Sequence, residues 1–399
     1  ALNFGENVNT SKVSNMSGLF YNDSALTFVD LSKLSTESVT NMYQMFYGCT
    51  NLGTIGTSTT SGLVVAKDFG LPTADDATNE MSEMFYGCSG LQTANLSNFN
   101  TSKVTNMARM FAGCSGFATA GTGDTFTLNF GANFDTSKVE SFYGMFSNCS
   151  KLSTINLTNF STQSANYIGR YYNYKNAFDY MFSGCKSLKM VGASDTDGLI
   201  VASGFGSTTK DATSMRYMFS GCTGLNQVNL TNFDMSKVVD MGYMFSGCTG
   251  LNTAGKSTEG TSYALNFASV DTSKVQYMDG LFNGCSGLTK IDLIDIDTSA
   301  VTDMSDMFSG CNNAKLTDVG AGNNYAINFG AIDTSKVTDM SNMFSGCTSL
   351  TSIDLTQLNA TALKDVSEMF KNCIGLKSVG KNGTVVDADL KKVADTADA

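Results

Sequence analysis

The chain has 399 residues, of which 15% are charged, with a net charge of −11, and it contains no His and no Trp. The negative balance disfavours nucleic acid and anionic membrane surfaces as partners. No apolar run approaches the ~18–20 residues of a membrane span, so no direct membrane insertion is expected from this segment.

The chain opens on Leu2-Asn3-Phe4, which matches Leu128-Asn129-Phe130 and Leu265-Asn266-Phe267 further on. It is therefore expected to begin inside a repeat. From there one pattern recurs. A Phe follows a large apolar residue, and a Cys comes three residues later. Twelve such anchors run from Phe20 to Phe370. All but the first carry the Cys, and these are all 11 cysteines of the chain. The first has Asp23 in that place. The cysteines lie 26 residues apart in the short case (Cys88 to Cys114) and 35 to 39 in the long case (Cys49 to Cys88). A fixed period in this range marks a solenoid, in which each unit buries its apolar face only by stacking on its neighbours.

Within a unit, Met42, Met45 and Phe46 stand at i, i+3, i+4, as do Met304, Met307 and Phe308, and Met340, Met343 and Phe344. That spacing predicts one face of a short helix. Thr40, Thr105, Thr302 and Thr338 stand two residues before a Met of this column, where a hydroxyl can cap the first amides. The residue before the Cys position is Gly or Asn in every unit, such as Asn22, Gly221 and Gly346. These residues most readily take the left-handed conformation that ends a helix. After the Cys comes an alternating run such as Leu350 to Leu355, read as a short strand. Asp-Thr-Ser or Asn-Thr-Ser then returns, as at Asp135, Asp271, Asp297 and Asp333, and predicts local side-chain turns. The expected fold is an α/β repeat solenoid, leucine-rich-repeat-like, with one short parallel strand and one short helix per turn and about 12 turns. Residues 1–399 read as a single solenoid.

Long and short turns largely alternate. The extra residues fall inside the strand region at 121–127, 192–198, 255–264 and 320–326, and they are expected to form a row of loops on one edge of the sheet. Insertions of this kind often map to the binding face. One insertion departs from the pattern. Residues 161–176 precede the expected helix of their turn and hold Tyr167, Arg170, Tyr171, Tyr172, Tyr174 and Lys175. Tyr and Arg are enriched at binding hot spots, so these six form the candidate binding site. The competing reading has the tyrosines fold down over the convex side. At the far end, 389–395 matches 333–339, so the chain is expected to stop inside a further repeat. The absence of polar caps at both ends leads to the expectation of a piece of a longer array; against it, Asp23 at the Cys place would suit an exposed terminal turn.

The cysteines admit sharper readings. Metal ligation calls for clustered CxxC or for His, and a thiol nucleophile needs a base; each Cys here is alone in its turn. Disulfides between adjacent turns are geometrically conceivable, but an odd count in one aligned column fits pairing poorly. A reduced, buried ladder is expected. One or two Asp per turn is thin for calcium, and no carboxylate pair stands apart from the repeat. No cofactor, metal or catalytic residue is expected, and the chain reads as no enzyme.

The unit IDTSKVTDMSNMFSGCTSLTSIDL at 332–355, with IDTSAVTDMSDMFSGC at 296–311 and FDTSKV at 134–139, resembles the repeat of bacterial surface proteins of the BspA-like leucine-rich-repeat group. The resemblance covers nearly the whole chain. It implies an extracellular, cell-surface protein, often from host-associated bacteria or mycoplasmas, whose repeats present a surface for adhesion. The expected function is thus a non-enzymatic adhesion or binding scaffold for a host or neighbouring-cell surface protein or glycan. The alternative is a structural building block of a surface layer or filament, self-associating end to end or laterally.

Overall fold

The computed structural model describes residues 2–3, 8–56, 62–70, 80–166, 176–192, 198–208, 213–255, 263–267, 270–294, 296–330 and 332–379. The chain divides into two compact units: Ala1–Leu188 with Ala193–Asp211, and Lys189–Gly192 with Ala212–Ala399. Each is a repeat solenoid built on a parallel ladder.

In the first unit, nine strands among the described residues pair in the order Leu2–Asn3, Phe28–Leu31, Gly62–Val65, Thr54–Ile55, Thr93–Asn95, Leu128–Asn129, Thr119–Gly121, Thr154–Leu157 and Gly198–Val201. In the second, the order is Met190–Val191, Gln227–Asn229, Leu265–Asn266, Thr253–Gly255, Lys290–Asp292, Ile327–Asn328, Asp318–Gly320, Ser352–Ile353 and Ser378–Val379. Both ladders leave chain order at the same kind of place. The turns that carry Thr54–Ile55, Thr119–Gly121, Thr253–Gly255 and Asp318–Gly320 each supply two strands, and the second lies on the earlier side of the first. An insertion is therefore a crossover that adds a strand, and not only the protruding loop read from the sequence. Loop-bearing strands such as Thr54–Ile55 and Thr119–Gly121 are three spacings apart, roughly 14 Å at ~4.8 Å per strand.

A parallel crossover usually takes a dozen residues or more, whereas Thr119–Gly121 reaches Leu128–Asn129 through 122–127. Two threonines fasten it. The Thr127 amide donates to Thr119 Oγ1 and the Thr119 amide to Thr127 Oγ1, each at 2.9 Å. The Phe126 ring then lies over Gly121, where any Cβ would come within 2.6 Å of it. The same arrangement sets Tyr325 over Gly320 and Tyr263 over Gly255.

The expected helix is not formed among the described residues, which correct that reading. The amides of Met42, Gln44, Phe46 and Gly48 donate to the carbonyls of Glu80, Ser82, Met84 and Tyr86 in the next turn, at 2.7–3.1 Å. A helix would have bonded those amides within itself. Between them, Met45, Tyr47 and Cys49 close tight turns onto Met42, Gln44 and Phe46. These linked turns put two left-handed residues in every unit. One is the expected Gly or Asn before the Cys, as at Gly48 (φ 70°) and Asn148 (φ 59°). The other stands two residues before the Phe, as at Gln44 (φ 54°), Glu83 (φ 54°) and Tyr243 (φ 53°). The apolar spacing is nonetheless obeyed: Met42, Met45 and Phe46 are fully buried.

The Phe anchors stack turn on turn, at 5.1 Å for Phe20–Phe46 and 5.5 Å for Phe46–Phe85, and at 5.8 Å for Phe219–Phe245 in the second unit. Beside them the cysteines are free and buried. Cys49 Sγ donates to the carbonyl of Phe20, one turn back, at 3.1 Å. Cys114 does so to Phe85, Cys248 to Phe219 and Cys373 to Phe344, at 3.0–3.1 Å. The thiol is small enough for the column and supplies a weak donor to a carbonyl that would otherwise be buried unpaired.

The Asp-Thr-Ser turns form as expected. Asp333 Oδ1 accepts from the Ser335 amide, while the buried Thr334 hydroxyl donates to the Asn359 carbonyl of the next turn. The Thr residues read as caps do something else. Thr40, Thr302 and Thr338 donate backwards, to the carbonyls of Ser14, Gln276 and Thr302. Capping falls to the following residue: Asn41 and Asp339 accept from the amides of Tyr43 and Ser341.

Candidate functional site

The residue that follows each anchor Phe stands at the surface side of the linked turns, half-buried in most units, exposed at Tyr21 and buried at Ala112. In the first three repeats that residue is Tyr21, Tyr47 and Tyr86; in most later ones it is Ser. The three rings stack at 4.9 Å and 4.7 Å with interplanar angles of 17° and 5°. That separation is the strand spacing itself, so the ladder dictates the stack. Tyr43 stands three residues before its Phe, next to Gly18, whose amide donates to the Tyr43 carbonyl at 2.8 Å. Leu19, Tyr21 and Tyr43 are 44%, 48% and 37% exposed. They are half of the large apolar residues left this open among the described residues, and they lie on two consecutive turns.

Polar side chains border this strip. Gln44 Nε2 donates to Glu83 Oε2 at 2.7 Å, Arg109 Nη1 meets Glu83 Oε1 at 3.4 Å, and Asn106 Nδ2 donates to Glu80 Oε2 at 3.0 Å. Partial burial, reinforced by Glu83 and Glu80, holds the Tyr43 phenol above its ordinary value. Tyr47 is shifted the same way, first by burial and then by Tyr86 and Tyr21. The Tyr43 and Tyr47 phenols thus stay neutral donors. The strip offers stacked aromatic faces, hydroxyls and a partly paired acidic border, a mixture suited to holding a macromolecule.

A second aromatic cluster, in the other unit, is closed on itself. Arg216 lies over Tyr217 and Tyr243, 5.2 Å from each ring centre, and those rings stack at 4.8 Å. Its guanidinium binds Asp240 at 3.2 Å and grips both oxygens of Asp279. Tyr243 donates to Asp306 at 3.2 Å. Asp240 is fully buried and Asp279 nearly so, so this network holds turns together and presents little to a ligand.

The six residues singled out in the sequence, Tyr167, Arg170, Tyr171, Tyr172, Tyr174 and Lys175, lie outside the described residues. The tyrosine strip was missed, although its signal is in the sequence: the same surface place holds Tyr three times running before it turns to Ala and Ser.

The family model described as "Mycoplasma protein of unknown function, DUF285" matches residues 3–61, 76–191, 206–263, 258–320 and 319–397. The chain belongs to this family. The BspA-like resemblance of its repeats stands with that assignment. No curated protein matches the chain. Among solved structures, the DUF285 chain is similar to a leucine-rich repeat protein from Bacteroides ovatus (17% identity, TM-score 0.38, covering 96% of this chain and 90% of that one). It is also similar to a leucine rich cell surface protein from Faecalibacterium prausnitzii (15%, 0.35, 83% and 87%). A third likeness is to an internalin from Listeria monocytogenes (11%, 0.21, 88% and 80%). At these TM-scores the likenesses carry no argument, and the fold rests on the chain's own strand pairings. No long apolar helix capable of crossing a membrane is present among the described residues of the DUF285 chain.

Proposed function

We propose that the chain is a non-enzymatic cell-surface scaffold, of about twelve turns, that adheres to a protein or glycan on a host or neighbouring cell. The observation that carries this reading is the surface strip of exposed Leu19, Tyr21 and Tyr43 continued by the half-buried Tyr47. Tyrosine supplies large contact area at low entropic cost and is over-represented among residues that dominate binding energy. The strip is held by backbone ladders, so it is ordered before a partner arrives.

The test is capture by the full chain on a surface-immobilised panel of matrix proteins and glycans, repeated with Tyr21→Ser/Tyr47→Ser. Binding that falls at least tenfold in the double variant, with the melting temperature kept, is the expected result. No binding anywhere on the panel would count against the scaffold reading. Regular filaments or sheets in electron micrographs of the concentrated protein would favour the building-block alternative instead.

A further inference from the structure

The crossover at 121–127 roofs a pocket of about 290 Å³ on the outward face of the first unit's sheet. Its floor comes from two neighbouring strands, with Thr93 and Asn95 on one and Thr54 on the other. Its wall is Asp124 and Phe126. Gly56 keeps the floor low, since a Cβ there would stand 3.0 Å from that of Asn95. The wall is fixed from beneath. Asn129 accepts from the amides of Gly123 and Gly131, each at 2.9 Å, and its Nδ2 donates to Asp124 Oδ1 at 3.2 Å. Asn95 Oδ1 is occupied by Ser97. Asp124 Oδ2, the Thr93 hydroxyl and Asn95 Nδ2 are without a hydrogen-bond partner among the described residues, and their side chains line the pocket together with Phe126. Thr93 and Asp124 are exposed, so these groups are open to a ligand from solvent.

We infer that this pocket binds a single neutral pyranose ring of a glycan. It deepens the scaffold reading and rests on it. The unpaired groups supply an acceptor, a hydroxyl that can do either, and an amide donor, which matches the alternating demands of vicinal sugar hydroxyls. Phe126 supplies apolar surface for the C–H face of the ring. The lining has no Lys or Arg and one carboxylate, which turns away phosphates, sulfates and acidic sugars. The volume suits one ring and lies at the lower end of the range for small-molecule sites.

The second unit shows how the same place looks when closed. There Lys290–Asp292 stands to the 320–326 crossover as Thr93–Asn95 stands to 121–127, with Asp292 in register with Asn328 as Asn95 is with Asn129. Lys290 Nζ reaches across to the carbonyl of Asn323 at 3.4 Å, and Asp292 takes the Asn328 amide at 3.1 Å. Thr93 stands where that lysine would, and its short side chain leaves the space open.

Saturation-transfer NMR of the full chain against methyl glucoside, galactoside, mannoside and N-acetylglucosaminide tests the assignment. At least one glycoside should receive saturation on its ring protons and titrate in the millimolar range. Thr93→Lys, which copies the plug of the second unit, should weaken it at least tenfold with no change in melting temperature. Phe126→Ala should also weaken it at least tenfold, at some cost in melting temperature because the ring packs over Gly121, and Tyr47→Ser should leave it intact. No saturation with any of the four, or undiminished binding by Thr93→Lys, overturns the pocket. If the chain meanwhile captures a matrix protein through its tyrosine strip, the scaffold reading survives that loss; if it captures nothing, both fall.

Discussion

Gly242 keeps clear the space through which Arg216 reaches Asp279: a Cβ on Gly242 would collide with Nη1 of Arg216 and stand 2.7 Å from Asp279 Oδ1. Arg216 sits one turn before Gly242 and Asp279 one turn after, so the missing side chain lets one guanidinium tie three turns together. Gly242→Ala should push Arg216 out and leave Asp240 and Asp279 with buried, poorly paired charge. Breaking such a buried pair costs about 3–5 kcal/mol. Chemical denaturation of Gly242→Ala, Arg216→Met and the double variant checks it. If the glycine acts through the arginine, the two losses will be far from additive. Simple additivity would assign Gly242 some other role.

Where a glycine before the Cys stacks on another glycine, as Gly247 does on Gly221, it is required for its conformation and not for space; above an Asn, as at Gly48 and Gly184, space is needed too. At Gly247, φ is 69° and a Cβ would meet the Cα and N of Gly221, each at an ordinary 3.6 Å. Gly247→Val should therefore lose about 1–3 kcal/mol through a β-branched residue held at positive φ. Gly247→Asn should lose much less, because Asn22, Asn148 and Asn372 already occupy this place at φ 58–60°. Equal melting of the two variants would show that packing, not backbone strain, governs the site.

How far the fold could be read from the sequence depended on whether a position tolerates alternatives. The left-handed residue before the Cys is Gly or Asn in every unit and was legible. Its companion two residues before the Phe is Gln44, Glu83, Arg109, Tyr180 or Asp306 in different units, and composition gives no hint of it. That is why the segment reads as a helix: an i, i+3, i+4 apolar pattern is satisfied equally well by linked turns, and only the destination of the amides distinguishes them. The strand contributed by each crossover was legible as a strand. Its place was not, because pairing order is a long-range property and short parallel crossovers are rare. The tyrosine strip was legible in principle, since Tyr21, Tyr47 and Tyr86 repeat at one position, but nothing local says that position faces outward.

The crossovers should be sensitive to the smallest added side chain. Gly320 lies beneath Tyr325, where a Cβ would come within 2.5–2.7 Å of the ring. Gly320→Ala should cost about 1–3 kcal/mol by overpacking. It should also raise amide exchange across 320–326 more than across the sheet strands beside it. A uniform rise over both would mean that the clasp and the ladder open together.

The cysteine ladder sets an alkaline limit on stability. Burial pushes the thiols of Cys285 and Cys347 up to about 12, from an ordinary 9.0. Folded chains therefore hold these protons where unfolded chains release them. The stabilisation is complete below the unfolded value and is lost as pH rises from about 9 through the folded value. Each thiol should contribute up to about 1.4 kcal/mol per pH unit to that decline. In urea denaturation under reducing conditions at pH 8, 9.5 and 10.5, Cys285→Ala/Cys347→Ala should start lower at pH 8, because the carbonyls of Phe245 and Phe308 lose their donors. Its further loss towards pH 10.5 should then be shallower than that of the unaltered chain by nearly two proton equivalents. Parallel curves would mean that the thiols are ionised no less readily in the fold than out of it, and that some other group sets the alkaline limit.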